Sequence, residues 1–192
     1  MPHLAHSSSS ADELVRQAHA HEASDEDDVA VRRYMEALAI QPANADAWVG
    51  LGALRMKLDD VAEAERVYTS ALDHVPSLHR CLAARAAARW QLGRHQEAET
   101  DLEAYTAFEK EPSALRQLAL WYAIDGRTPA QLAVWRRLLA IAVQDGDAAA
   151  KQEARRTVRA LVILVDGVDP VSSPTQPDET RSALALVARR AS

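Results

Sequence analysis

The side chains of this 192-residue chain that could do chemistry are seven histidines, one cysteine and an acidic run, Asp25-Glu26-Asp27-Asp28. His19 and His21 lie two apart on a predicted helix, which sends them to different faces, whereas a helix chelates from i and i+4. His3 and His6 fall in a start expected to be flexible. The acidic run lacks the alternating oxygen ligands and central glycine of a calcium loop. It reads as a solvated turn at a helix start, where the helix dipole favours negative charge. Cys81 sits beside Leu82 in an alanine-rich stretch and reads as a structural thiol, because no feature near it in sequence lowers its pKa. Glycine-rich phosphate loops, His-Glu-x-x-His, nucleophile elbows and paired Cys-x-x-Cys motifs are absent, and the six glycines fall mostly where helices should end. No nucleophile, base and electrophile converge, so the expectation is a non-catalytic protein without metal or cofactor.

The elements that position these residues should be helices. Hydrophobic residues make up 48% and charged residues 26%, aromatics only 5%, and alanine is abundant. Small apolar residues let helices approach closely, which favours helix-on-helix packing over sheet. The net charge of −6 argues against nucleic-acid binding, which needs a concentrated Lys/Arg surface. The charge is uneven. Residues 1–112 carry 11 basic and 20 acidic side chains and residues 113–192 carry 11 and 8, so the two parts could attract each other within one molecule or between two copies. A single cysteine forms no intramolecular disulfide and fits a reducing compartment. The longest apolar run, residues 160–165, is far below the ~20 residues of a membrane helix, and no leader pattern opens the chain. A cytoplasmic, soluble protein without membrane insertion is expected, and 19 Arg against 3 Lys suit a GC-rich bacterial genome.

Self-similarity at fixed spacing is present. Trp48-x2-Leu51-Gly52-x2-Arg55, followed by Ala64-x3-Tyr68, Ala71 and Pro76, matches a W-x2-L-G-x2-Y…A-x3-F…P pattern at seven positions, with Arg55 in the tyrosine slot. A shift of ~34 residues tests it. With starts at 11, 45, 79 and 112, the eighth position reads Ala18, Gly52, Ala86, Ala119 and the twenty-fourth Tyr34, Tyr68, Leu102, Trp135. Small residues recur where two helices must touch, and large ones where the gap must be filled. The chain therefore resembles the tetratricopeptide repeat (TPR) family over roughly residues 11–143. That resemblance implies an all-α fold, a right-handed α-solenoid of helix-turn-helix repeats.

Pro42 and Pro76 close two repeats in register, while Pro112 comes two residues late and predicts a longer second helix and a shorter exit for the third. Arg85 and Arg89 stand in slots usually Leu and Tyr, so their helix is expected to be rotated or exposed. Ser10-x-x-Glu13 forms a capping box for the first helix, and Thr128-Pro129-Ala130-Gln131 offers a cap and an early proline. The expected organisation is a flexible segment 1–10, a helical array 11–166 ending in a capping helix 147–165, and a tail 167–192 made of a proline-rich linker and an amphipathic helix 179–190.

What remains for function is the concave groove, which the TPR resemblance lines with positions 2, 5, 9, 12 and 13 of each first helix. These are Asp12, Val15, His19 and Glu22; Asp46, Val49, Ala53, Met56 and Lys57; Arg80, Ala83, Ala87, Trp90 and Gln91; and Arg116, Leu120, Ala123 and Ile124. Val49, Met56, Trp90 and Leu120 could form a strip for an apolar partner segment, with Arg80 and Arg116 available for carboxylates. Alternatively Trp90 or Leu120 packs internally. TPR domains that grip the terminal carboxylate of heat-shock chaperones use a Lys/Asn/Asn/Lys/Arg clamp, and the corresponding places here hold Val15, His19, Gly50, Arg80 and Ala84. The implied partner is a protein or peptide, bound by an adaptor or scaffold. A dedicated chaperone of a secreted or membrane client and a self-assembling homo-oligomer are the alternatives.

Overall fold

A computed structural model describes the chain from residue 3 to residue 166, with side chains from residue 10 onward. Its helices are α1 (His3–Ala23), α2 (Asp27–Ile40), α3 (Ala45–Lys57), α4 (Val61–His74), α5 (Arg80–Gln91), α6 (His95–Phe108), α7 (Pro112–Ile124), α8 (Thr128–Gln144) and α9 (Ala148–Asp166). No strand occurs among the described residues. The chain divides after Ala114 into two compact units.

In the first unit α1 pairs with α2, α3 with α4 and α5 with α6, and successive pairs pack through α2 on α3 and α4 on α5. Alternating small and large residues make this packing possible. Ala18, Gly52 and Ala86 are buried at the eighth position, and Tyr34, Tyr68 and Leu102 at the twenty-fourth. A Cβ on Gly52 would lie 2.3 Å from the Tyr68 ring, and one on Gly50 would lie 2.4 Å from the Tyr34 ring, so each tyrosine crosses backbone that only glycine leaves bare.

Within each hairpin the chain reverses through one left-handed residue: Asp25 (φ 56°), Asp59 (59°), Gly93 (75°) and Gly126 (68°). Aspartate tolerates this region because its side chain is short and polar. The following amide always reaches back five residues, Glu26 N to His21 O at 2.9 Å, Asp60 N to Arg55 O at 2.9 Å, Arg94 N to Arg89 O at 2.9 Å and Arg127 N to Tyr122 O at 2.8 Å. This is the Schellman closure of a helix end. Asn44 caps α3 by accepting from Ala47 N at 2.9 Å and ties it to α1 by donating to Asp12 at 3.1 Å.

Several local expectations are corrected. α1 starts at His3, so Ser10 lies inside it, and Glu13 bonds Arg16 and Gln17 instead of closing a capping box. Serine costs only about 0.5 kcal/mol within a helix, too little to force a start there. α6 has the same 14 residues as α2 and α4, because Pro112 opens α7 and does not close α6. Arg127, not Thr128, is the N-cap of α8, which has no side-chain cap bond.

Arg85 and Arg89 do not expose their helix. Arg85 grips Asp101 with Nε and Nη2, both at 2.8 Å, and Arg89 donates to Asp101 at 2.7 Å and to Glu65 at 3.0 Å. All four side chains are 15% exposed or less. The network pins α5 between α4 and α6, and Cys81, Ala86 and Ala88 of α5 are buried beside it.

In the second unit α8 packs on α9, and Asp147 caps α9 by accepting from Ala150 N at 3.0 Å. Leu115, Leu118, Trp121 and Tyr122 of α7 are buried, as are Leu132, Val134 and Leu138 of α8 and Ala154 and Leu161 of α9. Of the stripe expected on α9, Ala150, Val158 and Val162 are half-buried and Val165 is exposed. The linker and helix expected beyond residue 166 lie outside the described residues.

Candidate protein-binding surface

α1 meets α3, and α3 meets α5, so these first helices of successive hairpins share one side of the first unit. Val49, Ala53, Met56 and Lys57 lie on one side of α3, since at ~100° per residue their spacings bring each back to within about 80° of Val49. Val49 and Met56 are half-buried against the core formed by Tyr68, Ala71 and Cys81, whereas Ala53 and Lys57 are exposed. On α5, Arg80 and Ala87 are exposed. Trp90 is half-buried and stacks on His95 across the hairpin turn, with ring centroids 4.1 Å apart and planes 16° apart. Part of its indole is therefore taken up internally. Arg116 and Leu120 belong to α7 in the second unit, where Leu120 is 53% and Ile124 61% exposed.

Arg80 and Arg116, expected to be available for carboxylates, already have them, and so does Lys57. Arg80 holds Asp46 at 2.9 Å, Lys57 holds Asp27 at 2.9 Å and Asp25 at 3.5 Å, and Arg116 holds Glu153 at 2.9 Å. The side chains of Arg80 and Asp46 are 52% and 74% exposed. Exposed pairs of this kind contribute about 0–1 kcal/mol, so an incoming carboxylate can exchange with them at small cost. One signal for the first pairing was present in the sequence, since Arg80 and Asp46 occupy the same second position of adjacent repeats.

The buried Tyr34 hydroxyl of α2 donates to Glu22 of α1 and lies 2.9 Å from His19 Nδ1 on the same helix. Burial first, and then the bond to the carboxylate, push this phenol far above its usual range. His19 and Glu22 thus brace the tyrosine against α1. Cys81 is fully buried, and burial pushes its thiol up to about 11. No group of three or more His, Cys, Asp or Glu among the described residues could hold a metal ion. No helix among them is long and apolar enough to cross a membrane.

No family model matches the chain, and no curated protein does. Solved structures do. A tetratricopeptide repeat protein from Parabacteroides merdae superposes with a TM-score of 0.66 at 19% identity, over 82% of this chain and 62% of that one. The fold is that of the tetratricopeptide repeats. Two other TPR structures are described as peptide-binding. The peptide-binding TPR protein YrrB gives a TM-score of 0.60 at 17% identity, covering 80% of this chain and 76% of its own. The first TPR of Spaghetti (RPAP3), solved with an HSP90 peptide, gives 0.58 at 22% identity over 62% of this chain and 95% of that one. The chain spans 62% of the length of the Parabacteroides TPR protein. At the places of the TPR carboxylate clamp, Val15 is buried, Gly50 is covered by the Tyr34 ring, Ala84 is half-buried and Arg80 is paired with Asp46.

Proposed function

We propose that this TPR chain is a non-catalytic adaptor of the bacterial cytoplasm that holds an apolar segment of a protein partner and supports assembly of a larger complex. The observation that carries the reading is the side of α3 and α5 on which exposed Ala53 and Ala87 stand among half-buried Val49, Met56 and Trp90, bordered by the exchangeable pairs of Lys57 and Arg80. Small residues admit a segment close to the helices, the larger ones give it apolar area, and the charges fix its register. On α7, Arg116 and Leu120 with Ile124 offer a further contact strip. The partner is a protein or peptide, a reading supported by one TPR neighbour solved with a bound peptide and another described by its peptide-binding site.

The test compares the wild-type chain with Ala87→Glu and Trp90→Ala in affinity purification from the native host followed by mass spectrometry. Ala87 is exposed, so a carboxylate there leaves the core intact. Either variant should weaken capture of the partner at least about tenfold while helicity is unchanged. Undiminished capture by both would overturn the assignment. A chaperone reading is favoured by the exposed apolar side chains Leu120, Ile124 and Leu164, the last 74% exposed. It predicts that the chain is recovered with unassembled client, and an adaptor that it stays in the finished complex.

A further inference from the structure

The side of α3 turned away from Ala53 borders an open cleft between α2 and α4, about 280 Å³ in volume. Leu38, Leu51 and Val67 form its floor, all buried, and Met35 and Trp48 stand at its mouth. Met35 is 55% exposed and so presents its side chain to whatever enters. The cleft coincides with the one departure of the second repeat from its pattern, Arg55 in the tyrosine slot, which lines the cleft on α3. A tyrosine there would carry a rigid ring over Leu51. An arginine lays its stem along the apolar wall and carries its head to the rim, leaving the space above the floor open.

The rim has a matching polar demand. Arg55 spends Nη1 on Asp60 at 3.2 Å, while its Nε, buried, has no acceptor among the described residues. The guanidinium edge formed by Nε and Nη2 is one of those that can take a carboxylate in bidentate fashion. Arg66, also lining the cleft, is 72% exposed and holds only its helix neighbour Glu63, at 2.7 Å, an arrangement of small energetic weight. Two arginines, with Glu63 beside them, therefore overlook an apolar floor, each held by one partly exposed carboxylate that an incoming one can displace at small cost.

We propose that this cleft is a docking site for a short peptide segment of a protein partner, one that seats a bulky apolar side chain between Met35 and Trp48 and offers an adjacent carboxylate to Arg55. The thioether of Met35 adapts to the shape of the entering side chain. The site uses the face of α3 opposite Ala53 and Met56, and it stands whether or not the groove binds anything.

The experiment is selection of a phage-displayed library of short random peptides on the full chain, with enriched peptides synthesised and titrated by fluorescence anisotropy. Arg55→Tyr fills the cleft with the ring that the repeat pattern carries there, and Met35→Glu puts a like charge at the mouth, on an exposed position that leaves the fold untouched if the first variant misfolds. The expected result is enrichment of peptides with Leu, Ile, Met or Phe next to Asp or Glu. Their affinity should drop at least about tenfold in both folded variants and be unchanged in Ala87→Glu. The proposal is overturned if no peptide is enriched, if the enriched peptides lack the acidic neighbour, or if they bind Met35→Glu as well as wild type.

Discussion

Replacing Asp101 with alanine should be the most damaging single change on the surface between α5 and α6. The carboxylate accepts three short charge-assisted bonds, two from Arg85 at 2.8 Å and one from Arg89 at 2.7 Å, and its side chain is 7% exposed. Without it Arg89 keeps Glu65 at 3.0 Å, but Arg85 keeps only the Thr69 hydroxyl at 3.3 Å, too long and too weak to compensate a guanidinium 15% exposed. Breaking a buried pair from one side costs about 3–5 kcal/mol. Against the 5–15 kcal/mol typical of a domain this is a large share, and it corresponds to a fall in Tm of roughly 10–20 °C. The assay is thermal and urea denaturation followed by circular dichroism. Asp101→Asn, which retains an acceptor oxygen and the shape but not the charge, should lose about half as much. Arg16→Ala, at a side chain 72% exposed that makes only a helix-surface pair with Glu13, should change stability by less than about 0.5 kcal/mol. If Asp101→Ala behaves like Arg16→Ala, the reasoning that makes this network the reason for two arginines in apolar slots is wrong.

Gly52→Ala gains up to about 1 kcal/mol of helix propensity, yet its methyl meets the buried Tyr68 ring at 2.3 Å. Overpacking should win, for a net loss of about 1–3 kcal/mol in urea denaturation, and a stabilised variant would contradict the close approach. Alkaline pH should weaken the fold. Cys81, pushed up to about 11 by burial, keeps its proton when the unfolded thiol, titrating near 8.5, has lost it. Its contribution is thus fully present below about pH 8.5 and is lost as pH rises toward 11, by about 3 kcal/mol. Tyr68, pushed up to about 12 by burial, acts in the same direction at higher pH. Denaturation midpoints of wild type and Cys81→Ala should converge as pH rises through this window, and parallel curves would sink the assignment.

Helix positions were legible because small and large residues recur every ~34 positions, and that recurrence is a direct imprint of packing. The third repeat was misread at Pro112. Its fixed φ serves the first turn of α7 as well as it would terminate α6, and sequence alone does not distinguish the two uses. Arg85 and Arg89 looked like breaches of the core because Asp101 and Glu65 reach them only through tertiary packing, from α6 and α4. The left-handed turns were half visible. Gly93 and Gly126 advertised theirs, while Asp25 passed as part of an acidic run. At the candidate site, face and polarity could be read from helical spacing. The stacking of Trp90 on His95 and the capture of Lys57 by Asp27 could not, since the first depends on how the turn brings α6 back along α5 and the second on the angle at which one hairpin meets the next.

The ion network also sets the order of the modules. Glu65 belongs to the second hairpin and Arg89 and Asp101 to the third, so each carries half of a connector that the first hairpin lacks. Repeats related by an approximate common pattern invite shuffling, duplication and deletion during evolution, because any two faces nearly fit. Here a chain shortened by the second hairpin would bring the third against α2 with Arg89 lacking its glutamate, and a duplicated first hairpin inserted between them would do the same. The array is keyed at this joint, and its length can change freely only on either side of it.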